Sequence, residues 1–177
     1  MGIDTRFWGP SGWQLFHYIS FHAKHPQQFL LGMKDILPCK FCRESTTKFV
    51  HEHPMTSNSA KWVYDIHNMV NHKLRTQCKY DPNVINPGPD PSFEEVRHKY
   101  EHMKLTGILG RDFLFSIAAN YPTEPEEQQM ATQRTFLKQL AEVYPQNFET
   151  YLEDHPATLE HRKSYMKWMY ALLQHLG

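Results

Sequence analysis

The chain has 177 residues, 40% of them hydrophobic, and its 19 basic and 19 acidic side chains give a formal charge of zero. That length supports a genuine core without disulfide scaffolding, and the even scatter of lysine and arginine excludes a basic stripe of the kind that tracks nucleic acid. No run approaches the roughly 18 apolar residues of a membrane span, and "MGIDTRFWGPSGW" lacks an apolar signal core, so the chain reads as soluble and not secreted.

In chain order, Trp13, Phe16, His17, Ser20 and Ala23 fall at helical spacing and predict a helix from about Ser11 to His25. A second apolar helix ends near Leu37, and a third starts at Cys39 and runs towards His51. In "AKWVYDIHNMVNHKL", Val63, Ile66, His67, Val70 and Leu74 share one face and Lys61, Asp65, His72 and Arg75 the other, the pattern of a long amphipathic helix. Pro82, Pro87, Pro89 and Pro91 then rule out helix. Ser92 and Glu95 have the spacing of a capping box and open a short helix through about Lys104. Gly107 and Gly110 interrupt again, and helical patterns follow around Phe113 to Asn120, Glu126 to Tyr144 and Tyr165 to Leu176. No alternating strand occurs; the fold class is all-α.

The two halves resemble each other. "FVHEHPMTSNSAKWVYDIHNMVNHKL" aligns without a gap on "YLEDHPATLEHRKSYMKWMYALLQHL", placing His53-Pro54 on His155-Pro156, Lys61 on Lys163 and Leu74 on Leu176. "FHYISFHAKHP" has a looser echo in "FLFSIAANYP". The match suggests a duplicated helical module, against the alternative of two unrelated amphipathic pairs. The second copy has no cysteine, and Met169 and Tyr170 stand where His67 and Asn68 stand in the first.

The chemistry concentrates in "LPCKFC", where Cys39 and Cys42 are two of only three cysteines. A staple closing so short a loop would restrain little unfolded-state entropy. A zinc site remains open, because His51 and His53 follow, although two histidines two apart on one helix point to different sides. A redox pair is equally open: Pro38 favours a helix starting at Cys39, whose N-terminal amides would stabilise a thiolate at Cys39 and at Cys42.

Three segments together, "WGPSGWQLFH", "LPCKFC" and "WVYDIHNMVNHKL", resemble the signatures of the Erv/ALR flavin-linked sulfhydryl oxidases, in the same order and at similar distances. The likeness is strongest to the short members encoded by large DNA viruses; it covers about residues 6 to 104, with "SFEEVRHKYE" similar to the short fifth helix of that fold. The resemblance implies a four-helix bundle plus a short fifth helix that holds FAD, oxidises thiols to disulfides and reduces dioxygen to hydrogen peroxide. It implies Cys39 as the cysteine that exchanges with the substrate and Cys42 as the one facing the flavin. It places Gly9, Trp13, His17, Trp62, His67, Asn68, Asn71, Lys73, Leu74 and Phe93 around the cofactor, with Lys73 and Arg75 candidates for the pyrophosphate, and it calls for no metal.

Two departures from the family pattern follow. There is neither a further structural disulfide nor a shuttle cysteine pair, so Cys78 is expected to be inert and the substrate, a thiol protein such as a thioredoxin-like carrier, to reach Cys39 directly. The second departure is the C-terminal segment. The expected division is 1–104 as the FAD-binding oxidase domain and 105–177 as a degenerate module, giving a monomeric pseudo-dimer with a homodimer as the alternative. For a viral protein the expected location is the host cytoplasm and the virion. A zinc-binding adaptor built on Cys39, Cys42 and the nearby histidines is the competing function.

Overall fold

The computed structural model describes residues 2–177 and contains ten helices and no strand among them. They are α1 (Thr5–His22), α2 (Gln27–Leu31), α3 (Met33–Ile36), α4 (Lys40–Glu52), α5 (Ser59–Gln77), α6 (Phe93–Glu101), α7 (Arg111–Ala119), α8 (Glu127–Val143), α9 (Glu149–Asp154) and α10 (Arg162–Leu176). The all-α expectation holds. None of these helices is long and apolar enough to cross a membrane.

The first helix starts six residues before the expected Ser11. Asp4 caps it by accepting the Arg6 N–H at 2.8 Å, and the helix then runs straight through Trp8-Gly9-Pro10, with Pro10 inside it. The proline costs one backbone hydrogen bond, and burial of Trp8, Leu15, Phe16 and Ile19 on one face compensates. The apolar stretch before Leu37 is two short helices joined at Gly32. Ser92 does cap α6, its hydroxyl accepting the Glu95 N–H at 3.1 Å.

In the first half, α1 packs on α5 and α6, α3 on α4, and α4 on α5. In the second half, α7 packs on α10 and α8 on α9. The halves meet where α7 lies along α1 and α8 crosses α2 and α3. Phe113 of α7 sits against Trp8 and Phe16, with ring centroids 5.9 and 5.3 Å away, and Phe136 of α8 lies 5.6 Å from Phe29. One hydrophobic core therefore runs through both halves. Gly110 turns the chain into α7: it has φ of 73°, and a Cβ there would meet Leu15 at 3.1 Å.

The aligned segments share local geometry. α4 and α9 end at the matched His53 and His155, with φ/ψ of −129°/82° and −132°/73°. His53 N–H donates to the Phe49 carbonyl at 2.9 Å, and His155 N–H to the matched Tyr151 carbonyl at 2.8 Å.

Candidate functional site

Cys39 is the N-cap of α4, with extended backbone, and its Sγ accepts the Cys42 N–H at 3.3 Å. The expected helix start is thus correct to one residue, and the third free amide of the helix, that of Cys42, is directed at the Cys39 sulfur. Both cysteines are half-buried and in the thiol form. Phe41, between them in sequence, is 74% exposed.

The expectation of a stabilised thiolate at Cys42 needs correction. Burial pushes the Cys42 thiol up to about 12, helped by the hydrogen bond to Cys39 and its charge, while Lys73 and the Thr5 hydroxyl pull the other way. With both cysteines reduced, the helix amide serves Cys39 and Cys42 keeps its proton.

Elsewhere in the first half, α1, α5 and α6 form an aromatic and histidine cluster. Trp13 of α1 stacks on His67 of α5, with centroids 3.9 Å apart and planes within 7°. His17 Nε2 and His67 Nδ1 share a hydrogen bond of 2.8 Å, and Tyr100 of α6 stacks on the other side of His17 at 4.9 Å. Burial first, then the charges of His67 and Lys99, lower His17 to about 3. Burial also lowers His67, to about 4, opposed by Asp90 and aided by Lys99. Both rings are neutral at pH 7. His17 Nδ1 is buried with no hydrogen-bond partner among the described residues.

The remaining residues singled out from sequence divide into two groups. Asn68 and Leu74 on α5, Phe93 on α6 and Gly9 on α1 are partly exposed, and a Cβ at Gly9 would come no nearer than 3.7 Å to another side chain. Lys73 Nζ donates to Ser45 Oγ at 3.0 Å, which brings its charge onto the cysteine helix. By contrast, Trp62 is wholly buried and its indole N–H donates to the His53 carbonyl at 2.7 Å, so it presents no surface to a cofactor and supports α5 from behind. Asn71 and Arg75 are held by Asp90: the Asn71 amide donates at 3.3 Å, and Arg75 makes two bonds at 2.9 and 3.1 Å. This pairing holds the Asp90 carboxyl below its ordinary value and occupies the guanidinium expected at a pyrophosphate.

Sequence reasoning missed Tyr100, Asp90 and Lys99. Tyr100 could have been found from the i, i+3, i+7 row Phe93, Val96, Tyr100 on the short helix. Asp90 sits in the proline-rich loop, where periodicity carries no information. His53 Nε2 bonds to Asp65 at 3.0 Å and His51 is exposed. No three histidine, cysteine or acidic side chains gather into a metal-binding group among the described residues.

A helical bundle that carries a Cys-x-x-Cys pair at a helix start, a stacked tryptophan and two neutral histidines defines a helical dithiol protein. The model of the Erv1/Alr family matches residues 10–86. The chain is 30% identical over 114 residues to an FAD-linked sulfhydryl oxidase of African swine fever virus, covering 57% of this chain and 86% of that protein. A second isolate's enzyme of the same name is 30% identical over 80 residues, 38% of this chain and 67% of the relative. The mitochondrial FAD-linked sulfhydryl oxidase of Saccharomyces cerevisiae is 35% identical over 69 residues, 34% of this chain and 36% of the yeast protein. No solved structure gives a significant match. The chain belongs to the Erv1/Alr family, and α6 to α10 lie beyond the residues the family model matches.

Proposed function

We propose that the chain is an FAD-dependent sulfhydryl oxidase whose Cys39 and Cys42 cycle between dithiol and disulfide. Membership of a family whose relatives are FAD-linked sulfhydryl oxidases supports the activity and the cofactor. The observation that carries the residue assignment is the Cys39 N-cap, which presents a sulfur to a helix amide within the same bundle as the Trp13–His67 stack. The partly exposed faces of Trp13, His67, Asn68, Leu74 and Phe93 and the orphaned His17 Nδ1 fit a flat, hydrogen-bonding ring system. Lys73 and Lys99 are the cations left for its phosphates, since Arg75 is taken by Asp90.

A client thiolate attacks Cys39 Sγ of the Cys39–Cys42 disulfide; a mixed disulfide forms and Cys42 leaves as a thiolate. At that stage Cys39 no longer bonds to Cys42 or adds its charge, and Lys73 and the Thr5 hydroxyl are left to support the Cys42 anion against burial. The second client thiol then attacks the mixed disulfide, which releases the oxidised client and returns Cys39 as a thiol. Two electrons and two protons thus pass from client to cysteine pair. FAD, when bound, would supply the two-electron oxidant for the pair, with dioxygen as the terminal acceptor and hydrogen peroxide as the product. Phe41, exposed beside Cys39, offers an apolar contact to the client, and a thioredoxin-like carrier or a protein with paired cysteines fits this direct access.

The two halves have unequal roles in this reading: 1–104 binds FAD and 105–177 is a degenerate copy standing where a second subunit would otherwise sit. The shared geometry at His53 and His155, the repeated α1 on α5 and α7 on α10 packing, and the continuous core between halves support it.

The test is direct. The purified full-length protein is expected to be yellow, to oxidise dithiothreitol with uptake of oxygen, and to run as a monomer with one FAD by light scattering. Cys42→Ser is expected to keep the flavin and lose more than about 99% of turnover, in line with the loss of a covalent participant. A colourless wild type, or a Cys42→Ser variant with most of its turnover, overturns the assignment.

A further inference from the structure

We propose that Asn120, which lies in the half without cysteines, is a positioning residue for the cysteine pair, tying together the two backbone segments that border Cys39 and Cys42. The inference rests on the dithiol reading above. Asn120 is the C-cap of α7, and its backbone N–H donates to the Ser116 carbonyl at 2.9 Å. That helix is fixed against α1 by buried Phe113, Leu114 and Ile117 and by the Phe113 N–H, which donates to Ser11 Oγ at 3.2 Å. The side chain therefore projects from a rigid support.

Its amide makes three contacts, all reaching into the first half. Oδ1 accepts the Ile3 N–H at 2.7 Å, and Nδ2 donates to the Ile3 carbonyl at 3.4 Å and to the Pro38 carbonyl at 3.4 Å. The approach is close: a Cβ on Gly2 would lie 2.5 Å from Oδ1. Pro38 carries the last carbonyl before Cys39, while the preceding Leu37 carbonyl is held by Arg43 at 2.6 Å from within α4. Ile3 leads through the Asp4 cap into Thr5, whose side chain is near enough to Cys42 to draw its thiol down against burial. One asparagine thus restrains the approach to Cys39 on one side and the approach to Cys42 on the other. Only an amide, with acceptor and donor on one short arm, satisfies both an N–H and two carbonyls there.

Restraining both approaches reduces the conformational freedom lost when the two sulfurs join, so Asn120 favours the closed disulfide over the open dithiol. In Asn120→Ala every contact is lost. Asn120→Asp keeps the acceptor for Ile3 N–H, has nearly the same shape, and lacks the donor to Pro38.

The experiment uses the full-length protein, equilibrated without oxygen in buffers of reduced and oxidised glutathione, then acid-quenched and alkylated. The fraction of Cys39–Cys42 disulfide is read by mass spectrometry. Both variants are expected to retain flavin and helical content, and their equilibrium constants for disulfide formation are expected to fall roughly three- to tenfold, about 15 to 30 mV towards a more oxidising potential. Constants within twofold of wild type, or above it, in a folded variant overturn the proposal. If Asn120→Ala does not fold, the near-isosteric Asn120→Asp gives the reading. A colourless, inactive wild type would defeat the oxidase reading and leave this equilibrium measurable, so the two failures are distinct.

Discussion

Gly12, the second glycine of "WGPSGW", is a point of close apolar approach between the halves, and replacing it tests that contact. A Cβ at Gly12 would lie 2.8 Å from Phe113 Cδ1 and 3.2 and 3.3 Å from Cγ and Cε1 of the same ring. The ring is wholly enclosed and braced by Trp8 and Phe16, so it cannot swing aside without disturbing the core. Two effects oppose each other in Gly12→Ala. Replacing a glycine in a helix interior gains about 1 kcal/mol, and overpacking a closed core costs about 1 to 3 kcal/mol. Because the intruding methyl meets a braced ring, we expect the cost to prevail by about 1 kcal/mol, a drop in Tm of roughly 2 to 4 °C for a chain of this size. Gly12→Val adds two methyl groups and a branched Cβ in the same space; we expect a loss of about 3 kcal/mol and a rise in oligomer as the apolar faces separate. Urea unfolding followed by tryptophan fluorescence gives the energies, and light scattering gives the mass. A Gly12→Ala variant more stable than wild type would show that the propensity gain wins and that α1 and α7 have slack the packing does not reveal.

Three further outcomes are expected. His17 is neutral when folded, with a value near 3 against 6.5 unfolded; below pH 6.5 the unfolded chain binds a proton that the folded one refuses, so stability is intact above 6.5 and falls with pH towards 3. At pH 5 the loss from His17 is about 2 kcal/mol, with a smaller one from the partly exposed His67, and urea midpoints of wild type and His17→Gln at pH 7 and 5 should converge by that amount; a gap independent of pH refutes it. Cys78 is half-buried, with its thiol donating to the Arg75 carbonyl at 3.2 Å, and Cys78→Ala should leave turnover with small and protein thiols within about twofold of wild type; a loss confined to protein substrate would make it a shuttle. Asp90→Ala should free Arg75 and Asn71, and flavin affinity measured by fluorescence titration should change by about threefold or more; an unchanged affinity would place the whole Asp90 cluster outside the cofactor site.

What the sequence revealed followed from periodicity and spacing. The long helix α5, the cap at Ser92 and the helix start at Cys39 each depend on residues near in sequence or on one helix face, whereas the grouping of Trp13, His17 and His67 came from the family resemblance and not from periodicity. What it hid depends on contacts between distant segments. The early start of α1 was obscured by Pro10, whose local cost is outweighed by a tertiary face of Trp8, Leu15 and Phe16. Trp62 was expected as a wall of the cofactor site and is a support instead, because period alone cannot tell which side of a buried helix faces a cleft. The capture of Arg75 by Asp90 depends on the path of a proline-rich loop, and the reach of Asn120 to Pro38 spans 82 residues.

The proposed pairing of an active half with an inactive one has a physical rationale in the shared face. Phe16, Phe29, Phe113, Ile117, Phe136 and Leu140 are buried at or beside it, and each enclosed side chain of this kind contributes about 1.5 to 3 kcal/mol. Exposed, such a surface would drive association. A separate subunit covering it would first lose translational and rotational freedom worth about 4 kcal/mol or more, and its coverage would weaken on dilution. A tethered partner avoids both penalties, since its effective concentration is set by the linker around Leu105 to Leu109 and not by the amount of protein. A covering half needs no chemistry of its own, which agrees with the absence of cysteine after Cys78 and with Met169 and Tyr170 in place of His67 and Asn68. What it must keep is the packing surface and, through Asn120, its hold on the backbone next to the cysteines. On this arrangement, substitutions on the exposed side of α10 should be tolerated, whereas those at Phe113 or Asn120 should disturb a redox site in the other half.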